Sequence, residues 1–161
     1  NEDRKFNELE GVDLSKAIDA KVLSNEFKGL QWITYRYPDD PNRELNNLKQ
    51  IIKILKNDSS KRMLITDYQF LSPTLKTYDF SPNQWHHPTV SFPLKNQKYF
   101  EKYKNFFIKN IKKNNIEFIY ETTENDKSIT ELVINKECLE KVRASEMLLK
   151  IKLLKNCKDL N

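Results

Sequence analysis

A strand–helix–strand pattern near the start of the chain does most to restrict its possible folds. Leu30-Gln31-Trp32-Ile33-Thr34-Tyr35 is a β-prone run ending before Pro38. Asp40-Pro41 is a helix start, with Asp40 as N-cap and Pro41 in the first helical position, where its missing N–H costs nothing. Leu45, Leu48, Ile51, Ile52 and Leu55 then recur at helical spacing, and Asn57-Asp58-Ser59-Ser60 ends the element. Met63-Leu64-Ile65 follows as a short continuous apolar run of the kind buried on both faces. Two strands separated by one helix should lie parallel with a right-handed crossover.

The remainder extends this pattern. A short helix is expected around Ser15–Asn25, with Gly29 as the break after it. From Ser72 to Pro93 the chain is irregular and carries four of its six prolines, with a strand expected at Thr89-Val90-Ser91-Phe92. A helix over 97–113, capped by Asn96, turns Tyr99, Phe100, Tyr103, Phe106, Phe107 and Ile111 inward. A strand over 116–120 follows. Ser128-Ile129-Thr130-Glu131 fits a capping box. Beyond Met147 the positions Leu149, Ile151 and Leu153 alternate, which leaves strand and helix both open. The expectation is a single α/β domain over 1–161, three-layered, with a mainly parallel central sheet flanked by helices. It divides into a helical lead-in over 1–27, an α/β core over 28–121 and a helical extension over 122–161.

Composition narrows the function. Two glycines among 161 residues exclude a Walker or Rossmann phosphate loop. No Cys-x-x-Cys or His-Glu-x-x-His occurs, so neither metal nor cofactor is expected. No apolar stretch approaches the roughly 18 residues of a membrane span. The net charge of +5 comes from 28 basic and 23 acidic groups, but only five of the basic ones are Arg, the residue suited to bidentate base and phosphate recognition. Seven lysines between Lys95 and Lys113 fall on the predicted helix as a solvated outer face, and no nucleic-acid partner is expected. The methionines are Met63 and Met147, so the chain reads as a fragment of a longer protein.

Chemistry-bearing residues gather at Thr66-Asp67-Tyr68-Gln69, at the carboxyl end of the second strand, where open α/β sheets hold ligands. Tyr35 and Arg36 should lie at the same end. With Trp85, His86 and His87 they form an aromatic, polar candidate site suited to sugars, whose apolar faces stack on rings. Two plainer readings stand beside this one. Asp67 pairs with Arg36 or caps the following turn, and Trp85-His86-His87-Pro88 is a polar loop packed by its Trp. Glu44, Asp67 and Glu117 lack the spacing of a nuclease-like metal cluster. Cys138 and Cys157 either form a disulfide or are two small buried hydrophobes. One unbroken helix between them would hold them about 28 Å apart, so pairing needs the chain to turn back near Ala144–Met147.

Several segments together carry a family likeness: Gly29-Leu30-Gln31-Trp32-Ile33-Thr34, Leu45-Asn46-Asn47-Leu48, Met63 through Phe70, Ser81-Pro82-Asn83, and Tyr99-Phe100-x-x-Tyr103-x-x-Phe106-Phe107. Over residues 27–121 the chain resembles the soluble C-terminal region that follows the transmembrane helices of some bacterial membrane glycosyltransferases. Those are similar to the protein mannosyltransferase class that uses polyprenyl-phosphate sugars. The resemblance implies a noncatalytic accessory domain on the periplasmic face of the inner membrane. Its partners would be the transmembrane portion of the same chain and a glycan or polyprenyl-phosphate sugar. Catalytic carboxylates in that class sit in the membrane portion, so no catalytic residue is expected here. The other function considered is an intracellular α/β hydrolase or nuclease using Asp67 and a histidine.

Overall fold

The computed structural model describes residues 13–34, 37, 40–86, 89–125, 127–154 and 157. The backbone divides into two compact units, the first ending at Lys53 and the second beginning at Ile54.

In the first unit, short polar side chains decide the local structure. Asp13, Asp19 and Ser24 each accept a hydrogen bond from the backbone N–H two residues on, and each starts a single 3-10 turn. Such bonds offer the backbone an alternative to a helix, and the helix expected over 15–25 is replaced by these turns. Gly29 adopts φ +88°, and its N–H donates to Asp19 Oδ1 at 3.3 Å. The chain therefore doubles back, and β1 (Ile18–Asp19) pairs antiparallel with β2 (Gln31–Trp32). The helix α1 (Pro41–Lys56) starts where Asp40 Oδ1 accepts the Asn42 N–H at 3.1 Å. Its positions Leu45, Leu48, Ile51 and Ile52 are buried. Trp32 Nε1 donates to Glu44 Oε2 at 3.1 Å.

The second unit holds a four-stranded sheet of β3 (Arg62–Ile65), β4 (Phe118–Thr122), β5 (Leu139–Ser145) and β6 (Leu148–Leu153), in the order β3-β4-β6-β5. Only β3 and β4 are parallel; β4–β6 and β6–β5 are antiparallel. The chain between β3 and β4 contains α2 (Leu71–Leu75) and α3 (Phe100–Asn114). Between β4 and β5 lies α4 (Ile129–Val133).

This corrects the expected fold. The sheet is mixed rather than mainly parallel, and the three-layer arrangement is not formed. The run beginning at Leu30 does not join β3: it lies in a separate antiparallel ribbon, because β1 is its partner across a short turn and closing a short loop costs little entropy. The parallel strand–helix–strand unit is instead β3–α3–β4. Over 122–153 the expected helical extension is one short helix followed by a hairpin, since Leu149 and Ile151 keep the period-two pattern of a half-buried strand. The expected strand at 89–92 is a turn, closed by the Thr89 N–H donating to Phe92 O at 2.9 Å.

Alternation sorts the two faces of the sheet. Met63, Ile119 and Ile151 are register partners and form the floor of the main core. Phe107 and Ile111 from α3, Ile116, Val133 and Ile134 pack on them, and each such side chain contributes about 1.5–3 kcal/mol by burial. Cys138 and Cys157 form a disulfide in the same cluster, with Cα atoms 5.1 Å apart. The β5–β6 hairpin, turning at Glu146 and Met147, brings them together. Arg143 steadies that turn by donating to the carbonyls of Thr123, Asn125 and Glu146, each at 2.9 Å.

Candidate functional site

The loop leaving β3 is held at its root. Thr122 Oγ1, at the end of β4, donates to Thr66 Oγ1 at 2.8 Å, and Thr66 Oγ1 accepts the Tyr68 N–H at 3.0 Å. The carboxyl ends of the two parallel strands are thus tied together, and Asp67 projects outward with a side chain 41% exposed. Tyr68 is half-buried and meets Phe70 edge-on at 6.0 Å.

A second loop, 81–86, is fastened against the first. Ser81 Oγ donates to Asn83 O at 2.6 Å, and Asn83 Nδ2 donates to the Tyr103 hydroxyl of α3 at 3.0 Å. Burial pushes the Tyr103 phenol up to about 12, with the Glu121 charge adding to the rise against the opposing Asn83 bond, so the hydroxyl stays protonated. Two stitches then join the loops. Gln69 Nε2 donates to Gln84 O, and the His86 N–H donates to Asp67 Oδ1 at 3.1 Å. Trp85 sits between the stitched positions and is 56% exposed. With the backbone on both sides of it held, Trp85 presents its exposed side chain from a loop bonded to the Asp67 carboxylate, so a stacking surface and a hydrogen-bond acceptor share the two joined loops.

Asp67, Tyr68, Trp85 and His86 are therefore on two joined loops. Tyr35, Arg36 and His87 lie outside the described residues. Asp67 caps the His86 backbone rather than its own turn. His86 Nδ1 is 3.8 Å from Asp67 Oδ1, but the imidazole is only 4% exposed while the carboxylate is open. That is the reverse of what a histidine base needs, since the imidazole must reach the proton it abstracts.

No known protein family, curated protein or solved structure matches this chain.

Three polar clusters elsewhere were not legible in advance. Asp58, just past α1, accepts from Ser60 N at 2.8 Å, from Lys150 Nζ at 2.9 Å and from the Tyr120 hydroxyl. Burial works to raise the Asp58 carboxyl, but these bonds outweigh it and hold it far below the usual carboxylate range. Arg62 lies under the same loop, donating to Leu55 O at 2.5 Å, Asp58 O at 2.7 Å and Asp79 Oδ1 at 2.6 Å. Glu121 of β4 is buried against the start of α4 and accepts from Ser128 Oγ at 2.9 Å, Ile129 N at 3.0 Å and Thr130 N at 2.8 Å. Desolvation pushes its carboxyl up, against the pull of those bonds. The Asp58 cluster joins segments up to 92 positions apart, Arg62 joins the end of α1 to Asp79, and Glu121 holds the start of α4 to β4. Among the described residues no group of three His, Cys, Asp or Glu side chains is placed to hold a metal ion.

Proposed function

We propose that this chain is a noncatalytic, glycan-contacting accessory domain of a membrane-embedded glycosyltransferase, placed on the periplasmic face of a bacterial inner membrane. The observation that carries this reading is the stitched pair of loops, which holds Trp85 exposed beside Asp67 at the carboxyl end of β3. A ring presented in this way stacks on the apolar face of a pyranose, and the carboxylate accepts from its hydroxyls. The Cys138–Cys157 disulfide supports an oxidising compartment, where such bonds persist. The likeness of residues 27–121 to the soluble region of those enzymes supplies the parent activity and the tether to transmembrane helices of the same chain. No helix among the described residues is itself long and apolar enough to cross a membrane.

Saturation-transfer NMR of the 161-residue chain against a panel of neutral mono- and oligosaccharides tests the reading. Transfer to at least one sugar, lost in Trp85→Ala, supports it. Absence of transfer across the panel, or transfer that persists in Trp85→Ala, contradicts it.

A further inference from the structure

Beside the first turns of α3, the second unit carries a cleft of about 610 Å³ whose lining does not include Asn83 or Tyr103. Its walls are the first turns of α3 and the segment running from α4 toward Cys138. Phe100, Val133 and Ile134 form its buried apolar floor, and Leu132 is half-buried beside them. Lys95, Lys104 and Lys136 line it. The one carboxylate among the lining residues, Glu131, is occupied by Lys141 at 2.9 Å, and Lys141 does not line the cleft. None of the three lysines forms an ion pair with a described residue.

Three lysines around one concavity give it a positive potential that favours an entering anion. Lys95 and Lys136 are exposed and Lys104 is half-buried, and the chain brings them from three different segments to the rim of one cleft. Lys95 precedes α3, Lys104 is on its second turn, and Lys136 opens the 3-10 turn that Asn135 caps. The disulfide at Cys138 fixes that last segment to the core. Lysine serves as a mobile point charge for phosphate oxygens, and the apolar floor suits a ligand whose phosphate carries an apolar portion.

We infer that the cleft between α3 and the 131–136 segment is a binding site for a phosphate group, held by Lys95, Lys104 and Lys136. The site is separate from the Asp67–Trp85 loops, so it stands or falls independently of glycan binding. Charge-assisted contacts of this kind lie near the value at which each lysine changes affinity about tenfold.

Calorimetric titration of the full chain at low salt tests it, with inorganic pyrophosphate in one arm and phosphatidylglycerol vesicles in phosphatidylcholine in the other. The inference expects saturable binding in at least one arm, weakened about tenfold or more in Lys104→Ala and again in the Lys104→Ala/Lys136→Ala pair. Lys113→Ala, at the far end of α3, should leave it unchanged. Binding in the pyrophosphate arm identifies a free phosphate ligand, and binding confined to vesicles identifies a lipid headgroup. Thermal unfolding of each variant confirms that the fold survives. No saturable binding in either arm, or binding that Lys113→Ala weakens as much as Lys104→Ala does, overturns the inference.

Discussion

Lys150 and Asp58, 92 positions apart in sequence, meet at 2.9 Å on the face of the sheet opposite the main core. Tyr120, the register partner of Lys150, donates to the same carboxylate oxygen, so one carboxylate ties the end of α1 to both β4 and β6. Lys150 Nζ also lies 4.2 Å from the centroid of the Phe118 ring, which favours the cation further.

This cluster sets an acid limit on stability. The Asp58 carboxyl is depressed in the folded chain, so its contribution is complete above the unfolded value of about 3.9 and is lost as pH falls toward the folded value. Tyr120 and Lys150 are both raised, so their contributions are complete below about pH 10 and are lost above it. Asp58→Asn should cost about 1–3 kcal/mol at pH 7 and flatten the acid limb of the profile, as read by urea unfolding between pH 2 and 7. An unchanged acid limb would count against the cluster.

Arg62 and Asp79 form a pair whose side chains are each 4% exposed. Asp79→Ala leaves a buried guanidinium without its carboxylate and should cost about 3–5 kcal/mol in denaturant unfolding. The double change Arg62→Met/Asp79→Leu removes the uncompensated charge but leaves the Leu55 and Asp58 carbonyls without their donor, so it should recover only part of that loss. If Asp79→Ala and the double change are equally damaging, the pair is not what holds the 77–80 segment against β3.

The disulfide closes a loop of 19 residues around the β5–β6 hairpin. Cys138→Ser/Cys157→Ser should lower stability by about 3 kcal/mol in the chain-entropy description. Non-reducing mass spectrometry after alkylation should find neither thiol modified in the wild-type chain.

Legibility in the sequence followed the range of the interactions. α1, β3 and the helical core of α3 were readable because periodic apolar positions and Asp40 act within a few residues. The parallel partner of β3 was not, since the run at Leu30 had a nearer partner in Ile18–Asp19, and the Asp19–Gly29 contact that closes that turn leaves no pattern of its own. The hairpin turn at Glu146–Met147 carries neither Gly nor Pro, and its support comes from Arg143 reaching carbonyls up to 20 residues away. Asp67 was placed by the rule that ligands settle at the carboxyl ends of strands. Gln69 reads only as the end of the Thr66–Gln69 run, because the bond it makes exists only where the 84–86 loop meets it.

The central claim is that Trp85 and Asp67 form one glycan-contacting surface. Amide and indole shifts of the isotope-labelled chain, followed through titration with the strongest sugar of the panel, test it most directly. The account predicts that the Trp85 indole N–H and the Asp67 and His86 amides move along one saturating curve, and that Asp67→Asn weakens it about tenfold. Shifts that leave these three signals in place, or that are unaltered by Asp67→Asn, would contradict the account.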